Sequence, residues 1–297
     1  MRIGIDIGGT KIRGVLLKNN KAVKKYEIKT RNKNSQKVVL VQIFKCIDKL
    51  IEGENKKRIK GIGLGVPSPI DFEKQRILTP PNLKALKNCQ LAKVVKDKFR
   101  IKAVIDNDAN CFTLAEALLG AGKGFKIVAG ITIGTGVGGG IVIDKQIYHG
   151  EFGNAGEFGH INIVKNGWRC SCGRKGCVEA YVSGKGIIKI AKGLGIKNSN
   201  PKEIEDLARL GNKKAKIVYK TAGEYLGLGL VSIVNTIDPG IIVIGGGISH
   251  AGNLIINPAK EIVKRAGLNP LTKKIRIVKS KLGREAGAIG AALLICG

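Results

Sequence analysis

An α/β fold made of two related halves is what the sequence predicts, and three observations carry that expectation. Short apolar runs that read as strands alternate with stretches of helical spacing along the whole chain. The order three strands, helix, strand, helix, strand begins at residue 2, and a second strand pair restarts the pattern at residue 126. A content of 43% hydrophobic residues and 42 glycines in 297 positions suits a substantial core with tight strand connections.

The elements follow in order. Residues 2–7, 12–17 and 22–28 read as successive strands joined by glycine or asparagine turns. Apolar residues at Val38, Val39, Val41, Ile43, Phe44, Ile47, Leu50 and Ile51 give residues 36–52 helical spacing. Ile59 to Val66 is a buried strand stopped by Pro67 and Pro69. A short amphipathic helix over 91–99 precedes a strand from Lys102 to Ile105. Asp106-Asn107-Asp108 then supplies capping residues for a helix from Ala109 to Leu119. In the second half, Lys126 to Ile133 and Gly138 to Ile143 form a strand pair across a glycine-rich link. A long helix over about 212–235, an apolar strand at Ile241–Ile244, a helix over 252–266 and a strand from Lys274 to Val278 complete it. The chain closes in an Ala/Gly-rich helix from Arg284 to Leu294. With no low-complexity linker, the expected division is a smaller lobe over 1–108 and a larger one over 109–284, with the closing helix over 285–297 crossing back to the first.

The formal charge of +30 is extreme. It is compatible with nucleic-acid binding, with a site for anionic substrates, or with lysines spread over every solvated face. The lysines are scattered and aromatic content is only 4%, which leaves little for unpaired bases to stack on, so the last reading is preferred. No run of apolar residues approaches membrane-spanning length, and the N-terminus reads as a strand rather than a signal peptide. A cytoplasmic protein without specific nucleic-acid or membrane partners is expected, with cysteines kept reduced.

The densest chemistry lies between His160 and Cys177. His160 stands ahead of Cys170, Cys172 and Cys177, and the chain has only three histidines. One imidazole and three thiols are the usual donors of a closed tetrahedral zinc site; a disulfide or free thiols are the alternatives. Gly173 and Gly176 suit a tight knuckle that folds the thiolates back on one ion. Glu157 and Glu179 flank this loop. With His160 on the metal through one ring nitrogen, the other nitrogen and the two carboxylates can meet hydroxyls of a polyol. Each glutamate is equally explained as a solvated surface charge.

Two glycine hairpins read as phosphate cradles, with an ordinary glycine turn between strands as the alternative for each. Asp6-Ile7-Gly8-Gly9-Thr10-Lys11 follows the first strand, and its backbone N–H groups can approach a phosphate without interference from Cβ atoms. Asp6, at the strand end, is placed to hold Mg²⁺ or its water shell. Gly134-Thr135-Gly136-Val137-Gly138-Gly139-Gly140 links the second strand pair, and it lacks both the ending of a Walker loop and a following helix. Gly245-Gly246-Gly247 after a buried strand leaves room for adenine against bare backbone, or is simply a tight strand-to-helix turn. Asp108 at a strand-to-helix junction can take a proton from a hydroxyl that attacks a phosphoryl group, or can cap the helix.

Taken together these residues resemble the ROK family of sugar kinases and related repressors. The family's motifs occur in order: Asp-Ile-Gly-Gly-Thr-Lys, Gly-Val-Pro, Pro-Asn-Leu, Asn-Asp-Ala-Asn, the glycine hairpin, Glu-x-x-Gly-His, and Cys-x-Cys-Gly-x-x-Gly-Cys-x-Glu over 170–179. The resemblance implies an actin-like ATPase (ribonuclease H-like) fold of two lobes around a central cleft, with ATP and Mg²⁺ as cofactors beside a structural Zn²⁺. It implies phosphorylation of a hexose hydroxyl, glucose to glucose 6-phosphate first, with N-acetylhexosamines or mannose next. By the same resemblance Asp108 is the general base, and Asn82, Asn107, Glu157, His160 and Glu179 bind the sugar. Asp6, Gly8, Gly9, Thr10, Lys11, Thr135 and Gly136 grip phosphate and metal, Gly246 and Gly247 lie near the adenosine, and a homo-oligomer, dimer or tetramer, is implied.

One departure concerns the acceptor. Glucokinases of the family commonly follow Pro-Asn-Leu with Pro-Gly-Trp, whereas Pro81-Asn82-Leu83 is followed here by Lys84-Ala85-Leu86. That loop borders the sugar, so the change bears on which hexose is preferred and leaves Asp108 and the phosphate loops untouched. Family repressors carry an added N-terminal helix-turn-helix, while this chain starts directly on its first strand, which favours turnover over regulation. The basic surface also raises polyphosphate as an alternative donor.

Overall fold

The computed structural model describes residues 1–31, 35–80, 83–197 and 199–295. In chain order the strands and helices are β1 (Arg2–Ile7), β2 (Lys11–Lys18), β3 (Lys21–Lys29), α1 (Gln36–Ile51), β4 (Gly61–Val66), β5 (Ile70–Asp71), β6 (Arg76–Ile77), α2 (Leu91–Phe99), β7 (Ala103–Asn107) and α3 (Asp108–Leu119). There follow β8 (Ile127–Ile133), β9 (Val137–Ile143), β10 (Gln146–Ile147), α4 (Val178–Val182), α5 (Gly184–Gly193), α6 (Pro201–Arg209), α7 (Lys213–Ile237), β11 (Ile241–Gly245), α8 (Asn253–Ala266), β12 (Arg276–Lys279) and α9 (Ala286–Leu293). The chain forms two compact units. The first comprises Met1–Lys123, Lys145–Ala155 and Leu282–Gly297; the second comprises Gly124–Asp144 and Gly156–Lys281.

The first unit is built on the sheet β3-β2-β1-β4-β7, in which β1 is antiparallel to β2 and parallel to β4. Alternation along β1 sets its two faces. Ile3, Ile5 and Ile7 join Val39, Ile43, Ile47 and Leu50 of α1 in one buried core. Gly4 of β1 and Gly63 of β4 turn toward α9, where a Cβ on Gly63 would stand 1.7 Å from the Ala291 carbonyl oxygen. The closing helix therefore lies against bare strand backbone, and its own Ala/Gly-rich sequence permits the approach. Residue 108, where the lobe boundary is expected, is the first residue of α3, and α3 belongs to this unit together with α9.

Four strands of the second unit run in the order β9-β8-β11-β12, with β8 antiparallel to β9 and parallel to β11. This repeats the pattern of one antiparallel and two parallel partners seen around β1 and β4. By length and composition α7 is apolar enough to cross a membrane, but 56% of its most apolar window is buried within the protein, as befits a core helix. Tyr219 on α7 is fully buried and donates its hydroxyl to the Pro201 carbonyl at 2.6 Å, which fixes α6 against α7.

Candidate functional site

In the first unit, three consecutive residues at the end of β7 divide the labour. Asp106 is buried, and its Oδ1 accepts from the Asn107 N–H at 2.7 Å and from Asn110 Nδ2 at 2.9 Å. Its Oδ2 meets His149 Nε2 at 2.7 Å, and Phe72 packs on the His149 ring with centroids 4.1 Å apart. Asn107 is the helix cap: its Oδ1 accepts from the N–H groups of Ala109 and Asn110 at 2.8 and 3.3 Å, and its Nδ2 donates to the Ser68 carbonyl at 3.4 Å. Capping thus falls mainly to Asn107, and Asp108 is the first residue inside α3, partly exposed. The sequence marks Asp106 only as a capping residue, but the cap is Asn107 and Asp106 is buried against His149, a partner that was not singled out; the signal available was a carboxylate at the end of an apolar strand, two residues before the candidate base.

Asp6 ends β1 on the α9 side, and Gly287 is small enough that only an added Cβ would come within 3.0 Å of its Oδ2. Burial pushes the Asp6 carboxyl up to about 7, the charge of Asp108 pushes the same way, and Arg13 opposes both. A buried carboxylate whose proton affinity is raised by a neighbouring carboxylate is a natural place for a divalent cation, which would relieve the repulsion. The turn after Asp6 is tight: Gly8 N–H donates to the Lys11 carbonyl at 2.9 Å, and Thr30 Oγ1 donates to the Gly8 carbonyl at 2.8 Å. Gly9 and the exposed Thr10 form its tip. Lys11 turns to Glu27 at 2.5 Å, and Arg13 reaches the same carboxylate at 2.7 Å. The hydrogen bond from Lys11, followed by that from Arg13, holds the Glu27 carboxyl below its ordinary range.

Asn82 lies outside the described residues. After it, Lys84–Leu86 make a single 3₁₀ turn, and both Leu83 and Leu86 are buried in the core. The position that departs from the family's Trp is thus a core position here.

In the second unit, His160, Cys170, Cys172 and Cys177 place one ligand atom each within 4.8 Å of one another. Cys170 Sγ is 3.6 Å from His160 Nδ1, and Cys172 Sγ is 3.8 Å from Cys177 Sγ. A tetrahedral zinc with bonds of about 2.3 Å to sulfur and 2.0 Å to nitrogen requires separations of about 3.5–3.8 Å, so the residues present fit the ion. None of these cysteines is in a disulfide. Burial pushes the Cys170 thiol up to about 12. At Cys172 burial acts in the same direction, but hydrogen bonds from Arg174 and the neighbouring thiols prevail and bring it to about 7. The knuckle closes through Cys170 N–H to the Arg174 carbonyl at 2.8 Å and Gly176 N–H to the Trp168 carbonyl at 2.9 Å. Gly176 has φ +79°, and a Cβ there would strike the Val164 carbonyl oxygen at 1.8 Å, so no other residue fits. Trp168 stacks on Tyr181 with centroids 4.6 Å apart, and the Tyr181 hydroxyl accepts from the Trp168 N–H at 2.8 Å.

The sequence-predicted groups around the tetrad are brought together. His160 Nδ1 faces the sulfurs, and Nε2 lies 3.9 Å from Glu157 Oε2 on the other edge of the ring. Glu179 Oε2 accepts from the Val137 N–H at 2.9 Å, in the same hairpin as Thr135 and Gly136. At the end of β11, Gly246 has φ +82° and passes directly beside the backbone of Ile133, which leads into that hairpin; Gly247 begins the next 3₁₀ turn.

Comparison with known proteins follows the same lines. A sequence model of the ROK family matches residues 2–297. The chain is 33% identical to a glucokinase of Halalkalibacterium halodurans, over 99% of this chain and 94% of that protein. A ROK family glucokinase from Streptomyces griseus, solved in complex with glucose and AMPPNP, superposes with a TM-score of 0.87 at 29% identity, covering 99% of this chain and 98% of that one. A ROK hexokinase from Thermus thermophilus superposes with a TM-score of 0.82 at 30% identity, covering 98% and 96%. These likenesses place the fold in the actin-like ATPase class, with two domains.

Proposed function

Because this chain belongs to the ROK family, we propose that it is an ATP-dependent hexose kinase, with glucose the first substrate to test and N-acetylhexosamines or mannose next. The observation that carries the reading is the pairing of Asp108 with Asp6. One carboxylate at the start of α3 raises the proton affinity of another at the end of β1. A base within electrostatic reach of a cation-holding carboxylate is what transfer of a phosphoryl group to a hydroxyl needs.

In this reading Asp108 accepts the proton of the hexose hydroxyl as that oxygen bonds to the γ-phosphorus, and the bond to the bridging oxygen of ADP breaks. Bound Mg²⁺ would neutralise charge on the phosphate oxygens, with Asp6 holding the ion or its water shell. Gly8, Gly9, Thr10, Lys11, Thr135 and Gly136 orient the phosphates, and Gly246 and Gly247 accept the adenosine. Glu157, His160 and Glu179 meet the sugar hydroxyls, together with Asn82 and Asn107. The Asn107 side chain already serves as a cap and has one amide hydrogen left for a ligand. His160, Cys170, Cys172 and Cys177 would hold a structural Zn²⁺, which would supply no chemistry but would fix the angle at which His160 and Glu179 are presented. A homo-oligomer is part of the same reading.

A coupled assay of ADP formation across hexoses and N-acetylhexosamines tests it, with ATP and polyphosphate compared as donors. Asp108→Ala should lower turnover by about 10²–10⁴-fold, the usual worth of a general base, while calorimetric hexose binding changes little. Wild-type turnover in Asp108→Ala would remove the base assignment.

A further inference from the structure

The segment that begins at the last sulfur of the tetrad also holds the second glycine hairpin. Cys177 caps α4, and Glu179 stands in its first turn. Glu179 Oε2 accepts from the Val137 N–H at 2.9 Å. Its Oε1 accepts from the Ser171 hydroxyl, inside the metal knuckle, and lies 3.4 Å from Cys170 Sγ. A few residues further on, Gly184 N–H donates to the Gly134 carbonyl at 2.8 Å. Both flanks of Thr135-Gly136 are therefore tied to one short segment, 177–184. The carboxylate lies flat on the hairpin: a Cβ on Gly136 would come within 2.6 Å of Glu179 Oε2.

We propose that Glu179 is a positioning residue for this hairpin, through which the metal knuckle sets the affinity of the protein for the phosphates of a nucleotide. The inference rests on the reading of the hairpin as a phosphate cradle and of the tetrad as a metal site. Its physical basis is preorganisation. Backbone N–H groups must point at a phosphate before it arrives, and a glycine hairpin without restraint loses conformational entropy on binding. Two hydrogen bonds made in advance remove much of that loss. Glu179 then has a task independent of the sugar, because the Val137 contact is made within the protein itself. The negative charge of Glu179 works against a nearby phosphate, so the geometric and electrostatic contributions have opposite signs and can be separated.

The test is calorimetric titration of Mg–ADP, without sugar, into wild type, Glu179→Ala, Glu179→Gln and Ser171→Ala, with zinc content measured on every sample. Glu179→Gln keeps an oxygen for the Val137 N–H and loses the charge, so it should bind ADP as tightly as wild type or more tightly. Glu179→Ala loses the hydrogen bond and should bind ADP about five- to tenfold more weakly with its metal in place, as expected for the net contribution of one hydrogen bond. If the carboxylate acts only through its charge, both variants bind ADP more tightly, and the proposal is overturned; unchanged ADP affinity in Glu179→Ala overturns it too. Should Glu179→Ala fail to fold, Ser171→Ala decides: its exposed side chain is dispensable for folding, weaker ADP binding supports the bridge, and unchanged binding refutes it. A wild-type protein that binds hexose but no ADP would instead remove the phosphate-cradle reading beneath the proposal.

Discussion

Asp6 holds its proton up to about pH 7, mainly because burial disfavours its charge and secondarily because Asp108 repels it. The sign of the consequence is fixed by linkage. A carboxyl whose folded pKa lies above the unfolded value of 3.8 adds stability that is fully present below about pH 4 and is lost as pH rises through 7. In metal-free buffer, Asp6→Asn should therefore melt with wild type near pH 4, gain steadily up to about pH 7, and keep a constant advantage above it. A melting difference that does not change between these values would show that Asp6 is not perturbed in this way. The same substitution should abolish Mg²⁺-dependent turnover. At this scale the sequence was partly legible. Asp108 and Asn107 were placed by their cap-like string, but which of the two performs the capping depends on side-chain rotamers, and sequence carries no signal for them. Asp106 was read as a cap, and its pairing with His149 was not foreseen, because His149 is distant in the chain and only folding brings it near.

Between elements, the contacts that matter are those of α3 and α9. Glu116 on α3 is fully buried, with Oε2 accepting from the Ala121 N–H at 2.8 Å and Oε1 from the Leu282 N–H at 2.9 Å. It ties the end of one helix to the segment that leads into the other. Glu116→Ala would leave two part-buried N–H groups without their partner, at about 1 kcal/mol each, and chemical denaturation should register a loss of about that size or above. Gly63→Val should be worse, since its side chain would enter the α9 backbone and force the helix off β4; soluble, wild-type-like stability would contradict the packing described. The strands β1, β2, β3 and β8 and the helices α1, α2 and α7 were legible because apolar periodicity and turn residues agree there. The hairpin of β5 and β6 was not foreseen. Its strands are two residues long, too short for any alternation to register. Helices α4 to α6 were also missed; α4 begins inside the cysteine knuckle, where cysteine and glycine spacing hides the helical pattern.

Across the molecule, the restart of the strand pattern at residue 126 was readable, and the two sheets share one arrangement of antiparallel and parallel neighbours. The return of the chain over 145–155 to the first unit was not, because nothing in its composition marks it. Chelation of the metal should be visible without any assay of turnover. Trp168 is the sole tryptophan, two residues before Cys170 and stacked on Tyr181, so loss of zinc should change its fluorescence and expose the knuckle to proteolysis. Acid should release the ion as well, because Cys170 binds its proton tightly when no metal competes. The most direct test of the central claim is turnover itself, measured on zinc-replete protein with Mg–ATP and a panel of hexoses. The account predicts stoichiometric zinc and hexose-dependent ADP formation that falls by about 10²-fold or more in Asp108→Ala. Protein that carries zinc yet consumes no ATP with any hexose in the panel would contradict it.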